Sequence, residues 1–145
     1  MDEIYLKALK LLAARDHTAA ELAAKLRARF HADPASAIDA LKRQGAINDR
    51  RFAENFIARR TTMSAARLRE ELTRRGVDVE IVEAAIGQTA ENRPSLKDVL
   101  TATMMDRNIQ APFSSRDAAR LARALARLGY PEDEIREELE RFHEQ

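Results

Sequence analysis

Internal repetition is the feature of this sequence that most constrains its fold. Residues suited to start a helix recur at Thr18 and Ser64, 46 residues apart, and glycines recur at Gly76 and Gly129, 53 residues apart. Other pairs that keep one of these two intervals are Leu22 and Leu68, Leu26 and Leu72, Leu72 and Leu125, and Val82 and Ile135. A period of about 45–50 residues, with three helices in each period, is typical of helical repeat arrays.

Apolar residues at helical spacing, separated by capping residues, prolines and glycines, predict nine helices. Thr18-Ala19-Ala20-Glu21 has the form of a capping box, and Gly45 and Gly76 are placed to end helices. The predicted helices run from Glu3 to Arg15, from Thr18 to about Phe30, from Asp33 to Gln44, from Asn48 or Asp49, from Ser64 to Gly76, from Asp78, from Ser95 to Arg107, from Arg116 to Leu128, and onward from Pro131. The polar segment Gly87–Pro94 is predicted to be a linker, and Asn108–Ser115 a longer loop.

These helices group into an all-α fold, which we expect to be an elongated array of three tandem three-helix repeats with helix-turn-helix-like units. The predicted repeats cover residues 1–47, 48–90 and 91–145. A short amphipathic helix cannot bury its apolar stripe alone, so it needs neighbouring helices of similar build, and in such an array each unit contacts mainly its neighbours. We expect the chain to be a monomer.

Composition argues against several functional classes. The chain has no cysteine, which excludes disulfides, thiol nucleophiles and cysteine-ligated metals. No apolar run approaches membrane-spanning length, and the start Met1-Asp2-Glu3 is acidic where a signal peptide would be basic, so we expect a soluble cytoplasmic protein. The histidines His17, His31 and His143 show no metal-ligand spacing and are predicted to be surface residues. We therefore predict no enzyme activity, catalytic residue, metal or cofactor.

The main candidate binding surface is an arginine-rich stretch between Asn48 and Gly76. It contains eight arginines against four acids, an excess of four positive charges. The candidate contact residues are Arg50, Arg51, Arg59, Arg60, Arg67, Arg74 and Arg75. Glu70–Arg74 and Glu71–Arg75 are predicted i,i+4 ion pairs. Because Phe52 and Phe56 are predicted to be core residues, any nucleic-acid contact here would involve the backbone and depend on salt.

A second basic stripe is predicted near the C-terminus. Arg116, Arg120, Arg123 and Arg127 recur at spacings of four, three and four residues, which places them along one helix face. The stripe could follow a few phosphates or an acidic protein surface. Alternatively, the acidic segment from Pro131 to Gln145 neutralises it, because charge pairing within one chain is common on surfaces.

Three blocks of residues together resemble the RecX family of regulators of RecA. The blocks are Ala14–Thr18 with Glu21-Leu22 and Lys25-Leu26, then Arg51-Phe52-Ala53 with Phe56–Arg59, Arg67–Leu72 and Arg75-Gly76-Val77, and finally Leu128–Pro131 with Glu134-Ile135. The resemblance implies an all-helical protein that binds RecA or the groove of the RecA–DNA filament. It further implies inhibition of the ATPase, strand-exchange and coprotease activities of RecA in recombination, repair and the SOS response, with DNA contacted by some members.

Two other functions stay open on the sequence. The chain could be a DNA-binding helical module that contacts the phosphate backbone without RecA, although its near-neutral net charge of +1 argues against tight binding to naked duplex. It could also be a helical-repeat adaptor for another protein, which would respond to neither RecA nor DNA.

Overall fold

The computed structural model describes residues 2–143, except for the side chain of His143. Over this range the chain is all-α, with nine α-helices and no strand. The α-helices are α1 Glu3–Ala14, α2 Ala19–Phe30, α3 Ala35–Arg43, α4 Asp49–Arg59, α5 Ala65–Arg74, α6 Val79–Thr89, α7 Leu96–Arg107, α8 Ser115–Arg127 and α9 Glu132–His143. None of these helices is long and apolar enough to cross a membrane.

Most predicted helix ends lie within a residue or two of the observed ones. The Thr18 capping box forms as predicted, and the Asn48 side chain accepts from the backbone N–H of Arg51 at the start of α4. The segment predicted as a linker is instead largely helical, because α6 continues to Thr89 and a 3-10 helix covers Ala90–Asn92. Polar residues can continue a helix whose end is exposed to solvent. The loss of the apolar pattern after residue 86 therefore does not mark the end of α6.

The described chain divides into two compact units, and the boundary between them crosses α5. One unit comprises residues 2–59 and 69–88, and the other comprises residues 60–68 and 89–143. A buried cluster in the first unit contains Ala8, Ala19, Leu22, Leu26, Ile38, Leu41 and Ile47. A buried cluster in the second unit contains Val99, Leu100, Ile109, Phe113, Leu121, Leu125 and Ile135. The division into three repeats stays a prediction.

In the first unit, the turn after α5 packs on the N-terminus of α2. Gly76 ends α5 with φ +87°, and a Cβ atom at this position would overlap the Cβ of Ala20. The buried Thr18 hydroxyl donates a hydrogen bond of 2.6 Å to the carbonyl of Arg75 while also capping α2. Only glycine combines the left-handed backbone with this close approach. We call this contact the α5–α2 junction.

In the second unit, the turn after α8 packs on the N-terminus of α5 in the same way. Gly129 has φ +98°, and a Cβ atom there would overlap the Ser64 Oγ and the Arg67 Cβ. The backbone N–H of Ser64 donates to the carbonyl of Leu128 at 2.8 Å, and the Tyr130 hydroxyl donates to the carbonyl of Thr62 at 3.0 Å. We call this contact the α8–α5 junction. The helix-start residues of the two junctions, Thr18 and Ser64, are 46 residues apart, and their glycines, Gly76 and Gly129, are 53 residues apart. The junctions therefore lie at repeated positions of the sequence.

His17 is buried, so its prediction as a surface residue is wrong. Its side chain is 3 % exposed, with Nδ1 2.9 Å from the carbonyl of Arg15 and Nε2 2.8 Å from the Lys25 Nζ. Since ammonium can only donate, Nε2 accepts from Lys25 and the Nδ1–H donates to Arg15, which fixes the neutral tautomer. Burial and the Lys25 charge lower the pKa of the His17 imidazole below its ordinary 6.5, outweighing the hydrogen bond to Arg15. His31 is exposed as predicted, and the side chain of His143 lies outside the described residues.

Replacing Gly76 by Ala should destabilise the protein by more than the backbone strain alone. Left-handed strain costs about 1–2 kcal/mol, and overpacking against Ala20 adds about 1–3 kcal/mol. Gly45→Ala is the matched control, because Gly45 has φ +77° but no atom within 4 Å of a Cβ placed there. Urea unfolding followed by circular dichroism measures both variants. Equal losses in the two would show that the α5–α2 junction tolerates a methyl group.

Acidification should weaken the fold through His17. Because the pKa of His17 is lower in the folded chain than in the unfolded one, its stabilising contribution is complete above about pH 6.5 and declines as pH falls through the folded pKa. Thermal unfolding between pH 7.5 and pH 5 should show a smaller decline for His17→Gln than for the parent chain. His31→Gln is the control, and a decline in His17→Gln as steep as in the parent would contradict this role.

Candidate functional site

Helix α4 carries the first part of the candidate basic surface. Ala53, Phe56 and Ile57 are buried, which leaves the charged residues of α4 on its outer side. Phe52 is half-buried and stacks on Phe56 with ring centroids 6.2 Å apart. The aromatic pair therefore belongs to the packing of α4 and is not displayed for stacking on nucleic-acid bases, in keeping with its predicted core role.

The arginines of α4 differ in how they are engaged. Arg50 is exposed and its Nε lies 3.1 Å from the Glu54 carboxylate, an i,i+4 pair of small net strength. Arg51 is exposed and donates to the carbonyl of Gly45 at 3.2 Å. Arg59 is exposed, and no carboxylate of the described residues pairs with it. Arg59 is thus the cation of α4 most available to a partner.

Arg74, the last residue of α5, and Arg75, which follows it, both pair with acids of α5, as predicted. Arg74 is exposed, and its guanidinium nitrogens lie 2.8 Å from the Glu70 carboxylate and 3.3 Å from the Glu71 carboxylate. One guanidinium nitrogen of Arg75 lies 3.8 Å from the Glu71 carboxylate. Arg75 also reaches Glu21 of α2 at 3.5 Å and covers the Phe56 ring at 5.1 Å. Arg75 therefore ties α5 to α2 and α4 instead of projecting into solvent.

Arg60 and Arg67 are half-buried in the second unit. Arg67 lies under the Gly129 turn, where its Cβ and Cγ limit the space at that glycine. The carbonyl groups of Arg60 and Met63 both accept from the Arg93 guanidinium, at 3.5 Å in the case of Arg60. Of the seven candidate residues, the exposed ones are therefore Arg50, Arg51, Arg59 and Arg74.

The second basic stripe lies on α8, opposite the buried Leu121 and Leu125. Arg116, Arg123 and Arg127 are exposed, and no carboxylate of the described residues pairs with them. Arg120 is half-exposed and lies 3.4 Å from Asp117 of the same helix. The described acids of α9 that form ion pairs, Glu137 and Glu138, do so with Arg141 of α9 and not with the stripe.

Two side chains at the α8–α5 junction make contacts that the sequence did not predict. Arg93 lies in the predicted linker, yet it donates to two backbone carbonyls just before α5. Tyr130 is held at Thr62, and burial raises the pKa of its hydroxyl. The proximity of Tyr130 and Pro131 to Gly129 marks this turn in the sequence, but nothing in the sequence identifies Thr62 as its partner. Among the described residues no cluster of histidine and acidic side chains could hold a metal ion.

Comparison with known proteins identifies the family. Residues 48–86 match the model of the second three-helix domain of RecX. The regulatory protein RecX of Chromohalobacter salexigens is 36% identical over 133 residues, covering 89% of this chain and 86% of its own. The regulatory protein RecX of Trichlorobacter lovleyi is 34% identical over 149 residues, covering 96% of this chain and 95% of its own. The crystal structure of RecX from Lactobacillus salivarius, 21% identical, matches the fold with a TM-score of 0.70 over 95% of both chains. This chain belongs to the RecX family of regulatory proteins.

Proposed function

We propose that this chain binds RecA, free or assembled on DNA, and inhibits its ATPase, strand-exchange and coprotease activities. The observation that carries the proposal is the match to regulatory RecX proteins over nearly the whole chain, with most of each relative covered. Such a protein would act in the bacterial cytoplasm during recombination, DNA repair and the SOS response, without a catalytic step or cofactor of its own.

The exposed arginines of α4 and the end of α5 are the proposed contact surface. Arg59 has no competing carboxylate among the described residues, and Arg50 and Arg74 are held only by exposed pairs that an acidic partner can replace. Arg67 and Arg75 support this surface by fixing the ends of α5. Binding through a rim of cations speeds association and makes it sensitive to salt.

A helical chain of this kind can contact more than one RecA protomer in a filament. Each contact is weak when it depends on exposed charges, but binding at one protomer raises the effective concentration of the chain at the next. A filament should therefore be a better target than free RecA. Inhibition at less than one chain per RecA follows from this mechanism, because one bound chain restrains several protomers.

The first measurement is the rate of ATP hydrolysis by RecA on single-stranded DNA, with this protein added after the filaments have formed. We expect the rate to fall at substoichiometric amounts of the protein. An unchanged rate with the protein in excess, and with its helicity confirmed by circular dichroism, would rule out inhibition of assembled filaments.

Charge reversal in α4 tests the proposed contact surface. The double variant Arg50→Glu with Arg59→Glu should raise the concentration for half-maximal inhibition by roughly tenfold, equivalent to about 1.4 kcal/mol. The double variant Lys10→Glu with Lys42→Glu carries the same change in charge on exposed positions of α1 and α3 and serves as the control. If both variants inhibit like the parent chain, α4 is not the contact surface, and equal weakening of both would show a general effect of net charge.

A further inference from the structure

Two leucines on the outer side of α1 are exposed to solvent. Leu6 is 51% exposed and Leu9 is 37% exposed, although α1 packs on the core of the first unit. With about 3.6 residues per turn, positions 6, 9 and 13 fall within an arc of about 60°, and Ala13 is exposed as well. We call these residues, Leu6, Leu9 and Ala13, the α1 apolar strip. The other exposed large apolar side chains of the described chain, Val79 and Met105, lie singly on α6 and α7.

A groove between α1 and α3 borders the strip on one side. Its walls include Tyr5 of α1 with Ala37, Ala40 and Gln44 of α3, and its volume is about 360 Å³. Tyr5 lies one turn of helix before Leu9, so the groove adjoins the strip. The Tyr5 hydroxyl donates to the Gln44 side chain at 2.7 Å and ties the two helices together. Because the alanines of α3 are small, a second helix can approach α1 closely on this side.

The opposite edge of the strip carries one acid and one base. Glu3 and Lys10 lie seven residues apart on the same side of α1, and both are exposed. Two turns of helix separate them by about 10 Å, which is too far for an ion pair within one helix. Neither pairs with an opposite charge among the described residues. A helix that runs in the opposite direction, with the same two residues, can pair with both of them.

An antiparallel pair of α1 helices satisfies the leucines and the charges together. A two-fold axis brings the same surface of both copies into contact. If the axis passes between Leu6 and Leu9, Leu6 of each copy packs on Leu9 of the second copy. Glu3 then lies within about 3 Å, measured along the helix axis, of Lys10 of the second copy. A parallel pair would set Glu3 level with Glu3 and leave both charges without a partner.

We infer that two copies of this chain pair through the α1 apolar strip, with their α1 helices antiparallel. The pairing buries Leu6 and Leu9 of both copies and forms two Glu3–Lys10 ion pairs. One helix from each copy makes a small contact, and small interfaces are typical of transient complexes. We therefore expect an equilibrium of monomer and dimer in the micromolar range. This departs from the sequence-based expectation of a monomer, because apolar spacing alone does not show which leucines of α1 the core leaves exposed.

Sedimentation equilibrium of the full chain without RecA, over a wide range of concentration, measures the dissociation constant of the dimer. Leu6→Glu should raise this constant by roughly tenfold or more, because it places two carboxylates in the apolar centre of the contact. Val79→Glu is the matched control, since it also replaces an exposed apolar side chain by an acid, and it should leave the constant unchanged. A parent chain that is monomeric at every concentration would overturn the inference, as would equal weakening by both variants.

Exchange of the two charges tests the antiparallel direction. Lys10→Glu alone and Glu3→Lys alone should each weaken the dimer, because like charges then meet at both ion pairs. The double variant Glu3→Lys with Lys10→Glu should restore the dissociation constant of the parent chain. Circular dichroism establishes that the variants stay helical. A helical double variant that pairs no better than the single variants would overturn the antiparallel arrangement.

The pairing is separate from the proposed action on RecA, since its measurement contains no RecA. The filament assay is run below the dissociation constant of the dimer, so that Lys10→Glu with Lys42→Glu stays a valid control there. A parent chain that is monomeric alone, but that loses inhibition of filaments in Leu6→Glu, would overturn the pairing and assign the strip to RecA.

Discussion

The structure depends on a contact between a left-handed glycine turn and the N-terminus of a helix. At Gly76 and Gly129 the absence of a Cβ atom lets backbone approach the cap of α2 and of α5, closer than any side chain allows. The caps contribute hydrogen bonds from Thr18 and Ser64 to the carbonyls of Arg75 and Leu128. These hydrogen bonds form only when each turn is correctly placed against its cap, which makes the position of the turn specific.

These junctions decide which arginines remain available for binding. Arg67 and Arg75 lie next to the glycine turns, and the aliphatic stem of Arg67 packs against Gly129. Arg75 is further held near Glu21, Glu71 and the Phe56 ring, so its charge is compensated within the fold, while its buried Nε has no hydrogen-bond partner among the described residues. A count of charges along the sequence treats all arginines alike. The fold separates those that stabilise a junction from those that face solvent.

Periodicity and capping chemistry were sufficient to predict nine helices, since both are local properties of the sequence. The capping box at Thr18 and the Glu70–Arg74 pair lie within one turn of helix, and both form. His17 was mispredicted because its ring accepts from Lys25 and lies beside Ala46 and Phe52, and a local sequence pattern does not place these residues next to it. The predicted linker Gly87–Pro94 does contain a boundary between the two units, after residue 88, but the segment is largely helical, because loss of apolar pattern is compatible with an exposed helix end. For the binding surface, the sequence predicted which arginines were candidates but not how each is engaged.

The comparison of α5 with α8 shows how repeated elements can differ in surface charge while both stay helical. The residues that form the junctions, Gly76 and Gly129 with Thr18 and Ser64, match at the repeat intervals, because a change there would cost packing and hydrogen bonds. The outer faces carry no such constraint. Exchanging the pattern of Glu70 and Glu71 for that of Arg123 and Ala124 converts a neutral helix face into a cationic one. Surface charge can therefore be assigned separately to each helix, which gives one small all-α chain two basic surfaces of different character.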